Sequence, residues 1–217
     1  MATHGNNDAK VASVAAALPT ERAALLDLAA LAVEDLHACV LAYDEDGANA
    51  AADRYAAIVW KLNGGEFFGC MDRSNPEAGG ILADAHCRAA PGTVPMWGQS
   101  GEFLITVEGV RARVVISDGF ARMSIHMAFH VVDHDAPFIS ETGYRSHFDT
   151  MRGGSTVDEV AIGVFAALLE KRRAPLAPEY RQRRAEDQRP AWLTALPELA
   201  AAERVFQDRA GQMAFGF

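Results

Sequence analysis

Arginine and histidine side chains recur on one predicted face of the central strands, and such hydrogen-bond donors suit anion binding. A guanidinium group binds a phosphate or a carboxylate through a planar pair of N–H groups, and a histidine adds charge below a pKa of about 6.5. An outer sheet face usually interleaves Lys and Glu, whereas the only acid expected here is Glu102. The pattern therefore favours an anion-binding surface and a solvated outer face equally; the residues concerned are Arg111, Arg113, Arg122, His126 and His130.

A second polar cluster lies in the segment Ser140 to His147, which holds a carboxylate, a phenol, a guanidinium and an imidazole. The segment follows Pro137 and lacks helical periodicity, so we expect an ordered loop or an edge segment. In the structural interpretation, these side chains bond the loop to its own backbone and to the sheet. In the functional interpretation they bind a partner, since interface hot spots favour Arg, Tyr and Trp; the candidates are Trp97, Glu141, Tyr144, Arg145 and His147.

The histidines of the third strand also need to be tested as metal ligands, because imidazole commonly binds zinc and iron. On an extended strand, His126, His130 and His134 lie roughly 13 Å apart in succession, too far for neighbours to share one ion. We therefore predict no metal and no cofactor. The alternative, from a different class, is a metal-dependent hydrolase or nuclease that uses His126, His130, Glu141 and His147.

The sequence contains no motif that assigns a reaction. It has no Gly-x-Ser-x-Gly elbow, Walker loop, Cys-x-x-Cys pair or His-Glu-x-x-His helix. No catalytic residue can be named from it, and a binding function is favoured over an enzymatic one.

A β-meander is needed to position these residues. Three β-rich runs are separated by two dipeptides typical of tight hairpin turns, Glu108-Gly109 and Asp118-Gly119. The runs are Glu102 to Val107, Val110 to Ser117 and Phe120 to Val132. They predict an antiparallel sheet of three or more strands.

Counting outward from the turns gives a register for each hairpin. The first hairpin pairs Phe103 with Val114, and the second pairs Val114 with Met123 on the apolar face. On the opposite face the second hairpin places Arg111 beside His126.

The segment after Pro137 is expected to fold back over the arginine and histidine face. Arg145 would then join Arg111 and His126 in one site for a phosphate or a carboxylate.

Helices flank the meander in the predicted α+β fold. Apolar residues at helical spacing predict helices over 21–43 and 48–62, which form an N-terminal helical hairpin, and a short helix over 76–87. Thr156 and Glu159 form a capping box for a helix that packs on the apolar face of the sheet, and a last helix follows Pro190. The expected organisation is a flexible tail over 1–19, an α+β core over 20–152 and a C-terminal helical segment over 153–217.

Composition limits the classes of partner. The 217 residues carry 20 Lys+Arg against 29 Asp+Glu, a formal charge of −9, which opposes global attachment to nucleic acid or anionic lipid. Lys171 to Arg189 is a local exception with seven positive and three negative residues, and we interpret it as a solvated, proline-broken connection or a nucleic-acid contact. No apolar run is long enough to span a bilayer, and three widely spaced cysteines fit reduced thiols, so we expect a cytoplasmic protein.

Three blocks of the sequence resemble a family of uncharacterised accessory proteins carried on bacterial plasmids and integrative elements. The blocks are Lys61 to Gly69, Pro95 to Phe103 and Pro137 to Ser146, and the resemblance covers about residues 20–150. It implies a protein that serves the transfer or maintenance of a mobile element or its evasion of host defence. The expected partner is a host or plasmid protein, or nucleic acid held by a local basic patch.

Overall fold

The computed structural model describes residues 4–117, 125–187 and 189–196, and it confirms the α+β fold. N-terminal helices precede a four-stranded antiparallel sheet in the order β1-β2-β3-β4, and C-terminal helices contact the sheet. Within the described residues, no helix combines the length and apolar character that crossing a membrane requires.

Four helices form an N-terminal unit with its own apolar core. Their bounds are α1 His4–Ala16, α2 Arg22–Leu41, α3 Glu45–Leu62 and α4 Gly79–Cys87. The predicted hairpin is present as α2 and α3, and α3 begins earlier than expected because Asp44 caps it by accepting the Gly47 N–H at 2.9 Å. The core joins α2, α3 and α4 through buried side chains that include Leu25, Val33, Ile58 and Ala83.

The segment expected to be an N-terminal tail contains the helix α1. Val11 and Ala15 of α1 are buried against Ala57 of α3. The ammonium group of Lys61 donates to the carbonyls of Ala15 at 2.8 Å and Leu18 at 2.6 Å, which satisfies groups left open at the end of α1. An alanine-rich stretch thus becomes ordered because a neighbouring helix buries its apolar stripe.

The first hairpin has the predicted register. Its strands are β1 Gly101–Val107 and β2 Val110–Ser117, and Phe103 lies opposite Val114. Glu108 and Gly109 both have positive φ angles, of 49° and 77°, as a type I′ turn requires.

The second hairpin has a different register from the predicted one. β3 Ile125–Val131 places Phe129 opposite Val114, whereas Met123 was expected there. The two registers differ by six residues, an even number, so every side chain keeps its predicted face and alternation alone cannot distinguish them. Asp118-Gly119, Arg122 and Met123 lie outside the described residues.

A fourth strand, β4 Tyr144–Asp149, forms from the segment expected to be a loop or an edge segment. It pairs with β3 and forms the last strand in the order of the sheet.

The apolar face of the sheet is covered by α5 Val157–Lys171, as predicted. The Phe165 ring lies 5.4 Å from that of Phe129 and 5.6 Å from that of Phe138. Two short helices follow, α6 Pro178–Glu186 and α7 Ala191–Thr194. The rest of the predicted last helix lies outside the described residues.

Candidate functional site

The arginines of the outer sheet face, opposite α5, are paired with acids. Arg111 makes two hydrogen bonds to Asp133, one of them from Nε to Oδ2 at 2.8 Å, and Arg113 contacts Glu102 at 2.7 Å. Both pairs are half-buried. Sequence reasoning missed Asp133 as an acid of this face, although its position just beyond β3 was a usable signal.

The histidines of this face are held by neighbouring groups. The His126 Nδ1 atom lies 2.9 Å from the Ser117 hydroxyl, and its ring packs 4.8 Å from that of Phe148. His126 therefore lies opposite Ser117, and not opposite Arg111 as expected. Burial first, and then the charges of Arg113 and Arg184, lower the pKa of His130 to about 4, so His130 is neutral at pH 7.

The C-terminal segment lies over the same face. Trp192 donates its indole N–H to Glu102 at 2.5 Å, and the Arg189 guanidinium donates to the Val132 carbonyl at 3.1 Å. Arg184 donates to the Thr142 carbonyl at 3.2 Å. Arg184 and Arg189 thus anchor the basic segment to the sheet region, while its other cationic side chains are exposed to solvent; these are Lys171, Arg172, Arg173, Arg181 and Arg183.

A small cleft separates the C-terminal segment from the sheet. Its volume is about 260 Å³, and its charged and titratable lining residues are Arg113, His130, His134, Arg184, Asp187 and Arg189. The arginines of the cleft donate hydrogen bonds to carboxylates or backbone carbonyls of the protein. These bonds give the arginines a structural role in joining the segment to the sheet.

Arg145 and His147 do not join the outer face. They pair with Phe129 and Met127, residues of the covered face, whereas Tyr144 pairs with His130 on the outer face. The expected single site of Arg145, Arg111 and His126 is therefore not assembled. The reason is that the segment forms a strand, and alternate side chains of a strand point to opposite faces.

The residues of the metal-enzyme alternative are also kept apart. His126 and His130 lie on the outer face, His147 lies on the other face, and Glu141 forms an ion pair with Arg172. Among the residues that the structure describes, no group of three or more His, Cys, Asp or Glu side chains is arranged to hold a metal ion.

Trp97, a predicted partner-binding residue, is buried with 1% of its surface exposed. Its indole N–H donates to the Ser155 carbonyl at 2.7 Å, and its backbone N–H donates to His37 Nδ1 at 3.2 Å. It therefore joins the helical unit to the sheet and α5, and it is not available to a partner in this fold.

A larger cleft of about 410 Å³ lies where the helical unit meets the sheet. Arg73, Asp84 and Arg88 line it from the helical side, and Ser100 and β2 line it from the sheet side. The Ser100 hydroxyl donates to Asp84, and Arg88 lies 3.7 Å from the same carboxylate. Arg73 is exposed, and the connection that carries it also exposes Phe68 (88%) and Met71 (53%).

Two stretches of the chain match models of protein families. Residues 10–86 match the KlcB N-terminal DNA-binding domain, and residues 100–192 match the KlcB third domain. Two curated Escherichia coli proteins named KlcB are 50% and 48% identical to the chain over 192 and 198 residues. The chain is a homologue of KlcB.

The match covers the chain more fully than it covers the relatives. The alignments include 88% and 90% of this chain but 41% and 49% of the two KlcB proteins, so the chain spans less than half of their length. No solved structure is significantly similar to it. The boundaries of the two family matches agree with the fold, because residues 10–86 contain most of the helical unit and residues 100–192 contain the sheet, α5 and α6.

Charge is unevenly divided between the matched stretches. Residues 10–86 contain five Lys or Arg against twelve Asp or Glu, a formal charge of −7. Several of the basic residues hold nearby acids: Lys10 contacts Asp53 at 2.6 Å, Arg22 contacts Glu77 at 2.6 Å, and Arg54 contacts Asp35 at 2.7 Å.

Proposed function

We propose that this protein binds DNA through its helical unit and that it acts by binding and not by turnover. The observation that carries the proposal is the match of residues 10–86 to a DNA-binding domain of KlcB, a match that coincides with a helical unit having its own core. A unit with its own core can present a fixed surface to a duplex.

The charge of the helical unit determines what kind of DNA binding is expected. Non-specific binding depends on cations that replace condensed counterions, and a unit of charge −7 repels the duplex as a whole. We therefore infer low non-specific affinity and a complex held by a few well-placed contacts. A specific sequence would be read by contacts to base edges, which do not depend on net charge.

The cleft beside α4 is the surface that we assign to these contacts. Arg73 and Arg88 line it, and both are on the surface of the molecule. The exposed Phe68 and Met71 precede Arg73 in the same connection and offer apolar contacts to thymine methyl groups or to a minor groove. Arginine is the side chain best suited to bind both phosphate and guanine edges.

Selection from a library of random DNA duplexes, followed by fluorescence anisotropy on the enriched sequence, tests the proposal. We expect Arg73→Ala and Arg88→Ala each to weaken binding and to reduce the dependence on salt. Arg173→Ala is the matched control, since Arg173 is an exposed arginine that contacts Glu108 outside the helical unit. Failure to enrich any sequence, together with no binding at low salt, would contradict the proposal.

A second candidate is the binding of a host or plasmid protein by an accessory factor of a mobile element. The observation that favours it is the acidic surface of the helical unit, which attracts a basic protein more readily than it attracts DNA. Polar residues of the sheet region would contribute through their side chains, and those proposed for this role are Arg111, Arg113, His126, His130, Glu141, Tyr144, Arg145 and His147. Weaker capture of one basic protein by Glu34→Gln, which removes an exposed acid of α2, than by the wild type would support this candidate; binding to DNA alone would oppose it.

A further inference from the structure

The last strand of the sheet, β4, has an edge that pairs with no other strand among the described residues, and this edge is suited to a second copy of itself. The backbone N–H of Val131 donates to Gly143 at 2.9 Å, which fixes the hydrogen-bonding alternation between β3 and β4. In that alternation the backbone groups of Arg145, His147 and Asp149 face β3. Those of Tyr144, Ser146 and Phe148 therefore point away from the sheet.

The outward-facing residues define one antiparallel register for a symmetric pair. If Ser146 lies opposite Ser146 of the second copy, Tyr144 lies opposite Phe148 of that copy, and all three residues use their outward-facing backbone groups. Thr142 already donates its hydroxyl to the Tyr144 carbonyl at 3.1 Å. A carbonyl oxygen has two lone pairs, so it can accept a second hydrogen bond from the second copy.

Side chains on the outer face favour this register. The His130 ring contacts Tyr144 at 5.1 Å, and the His126 ring contacts Phe148 at 4.8 Å. Pairing Tyr144 with Phe148 of the second copy would join the two contacts into one row of four rings. The row would run from His130 and Tyr144 of one copy to Phe148 and His126 of the other. It would also cover Phe148, an apolar ring with 65% of its surface exposed.

Side chains on the opposite face are complementary as well. In the same register, Arg145 lies opposite His147 of the second copy, and Asp149 of that copy lies one diagonal position away, within reach of a long side chain. Arg145 and the small Ser146 are both exposed, so no side chain needs to leave a core for the two strands to meet.

We propose that the protein forms a symmetric dimer in which two β4 strands pair across Ser146 and the two sheets become one continuous sheet. The two helical units then form a pair related by two-fold symmetry, as in proteins that bind two half-sites of one DNA. The dimer is independent of the proposed DNA contact, because no residue of β4 lines the cleft assigned to that contact.

Sedimentation velocity of the full chain over a range of concentrations is the first test. We expect reversible dimerisation by the wild type and a loss of the dimer in Ser146→Pro, which removes an outward-facing N–H group. Phe148→Asp should have the same effect, and because Phe148 is exposed this variant keeps the fold even if the proline disturbs it. A monomeric wild type at all concentrations, or a dimer unchanged by both substitutions, would overturn the proposal.

Oxidative cross-linking tests the register. In a hydrogen-bonded antiparallel pair the opposing Cα atoms lie about 5.5 Å apart, a distance that a disulfide spans. Ser146→Cys should therefore form covalent dimers well above the background of the three native cysteines. The exposed Thr150, just beyond β4, provides the control variant Thr150→Cys. Equal cross-linking of the two variants would exclude the Ser146 axis even if a dimer exists.

Discussion

Removing the Trp97 side chain should destabilise the whole protein, because this residue joins the helical unit to the sheet. A tryptophan buries about 200 Å² of surface, and at about 25 cal/mol per Å² its truncation to alanine should cost roughly 3–5 kcal/mol. In the wild type the Trp97 indole N–H donates to the Ser155 carbonyl at 2.7 Å. Trp97→Phe keeps most of the apolar area but removes this donor. That change should cost about 1–2 kcal/mol.

Thermal and urea denaturation, followed by circular dichroism, would measure both free energies of unfolding. For a chain of this size each kcal/mol lowers the melting temperature by about 2–4 °C, so Trp97→Ala should melt about 6–20 °C below the wild type. Phe68→Ala is the control, since Phe68 is 88% exposed and its loss should change stability by no more than about 0.5 kcal/mol. If Trp97→Ala had the same melting temperature as the wild type, Trp97 would be a surface residue. Our account of the junction between the helical unit and the sheet would then be wrong.

Four further substitutions test the sheet. Val114→Asp should lower the free energy of unfolding by about 4 kcal/mol, because it buries an unpaired charge. Arg111→Ala breaks a half-buried ion pair and should lower it by about 1–2 kcal/mol. Equal urea midpoints for the two variants would contradict the assigned faces. The pKa of His130 falls from 6.5 unfolded to about 4 folded, so protons bind the unfolded chain more tightly and stability declines as the pH falls from 6.5 towards 4. Partial exposure limits this loss to about 1–2 kcal/mol, and urea melts at both ends of that range should show a smaller loss in His130→Gln. Gly143→Ala should cost about 2 kcal/mol, since Gly143 has a φ of 66° and an added Cβ would lie 2.6 Å from Val131; an unchanged melt would refute the turn geometry.

The sequence predicted the fold well wherever local pattern decides structure. Helical spacing predicted α2, α3 and α5, and the Glu108-Gly109 dipeptide predicted the first hairpin and its register. It failed where long-range pairing decides structure. The register of β2 with β3 differs from the predicted one by an even number of residues, which leaves the alternation of apolar and polar residues unchanged.

The candidate site was less predictable than the fold. Arginines and histidines were assigned to the correct outer face, but the pairing of Arg111 with Asp133, just beyond β3, was not foreseen, and neither was the bond to Glu102 from Trp192 of the C-terminal segment. The sequence left the β4 segment open as a loop or an edge segment, since its polar residues conceal a period of two. Arg145 was therefore expected on a face where alternation does not allow it.

The salt dependence of DNA binding tests the central claim most directly. The logarithm of the binding constant falls linearly with the logarithm of the salt concentration, with a slope of about −0.9 for each phosphate contact. Two arginine contacts therefore predict a slope no steeper than about −2. On an enriched duplex, the wild type should show this shallow slope. Arg73→Ala should reduce the magnitude of the slope by about 1, the value expected for the loss of one phosphate contact. The absence of any complex would contradict the account. A steep slope that disappears on neutralising Arg172 and Arg173 would also contradict it, since the basic segment after α5 would then be the DNA contact.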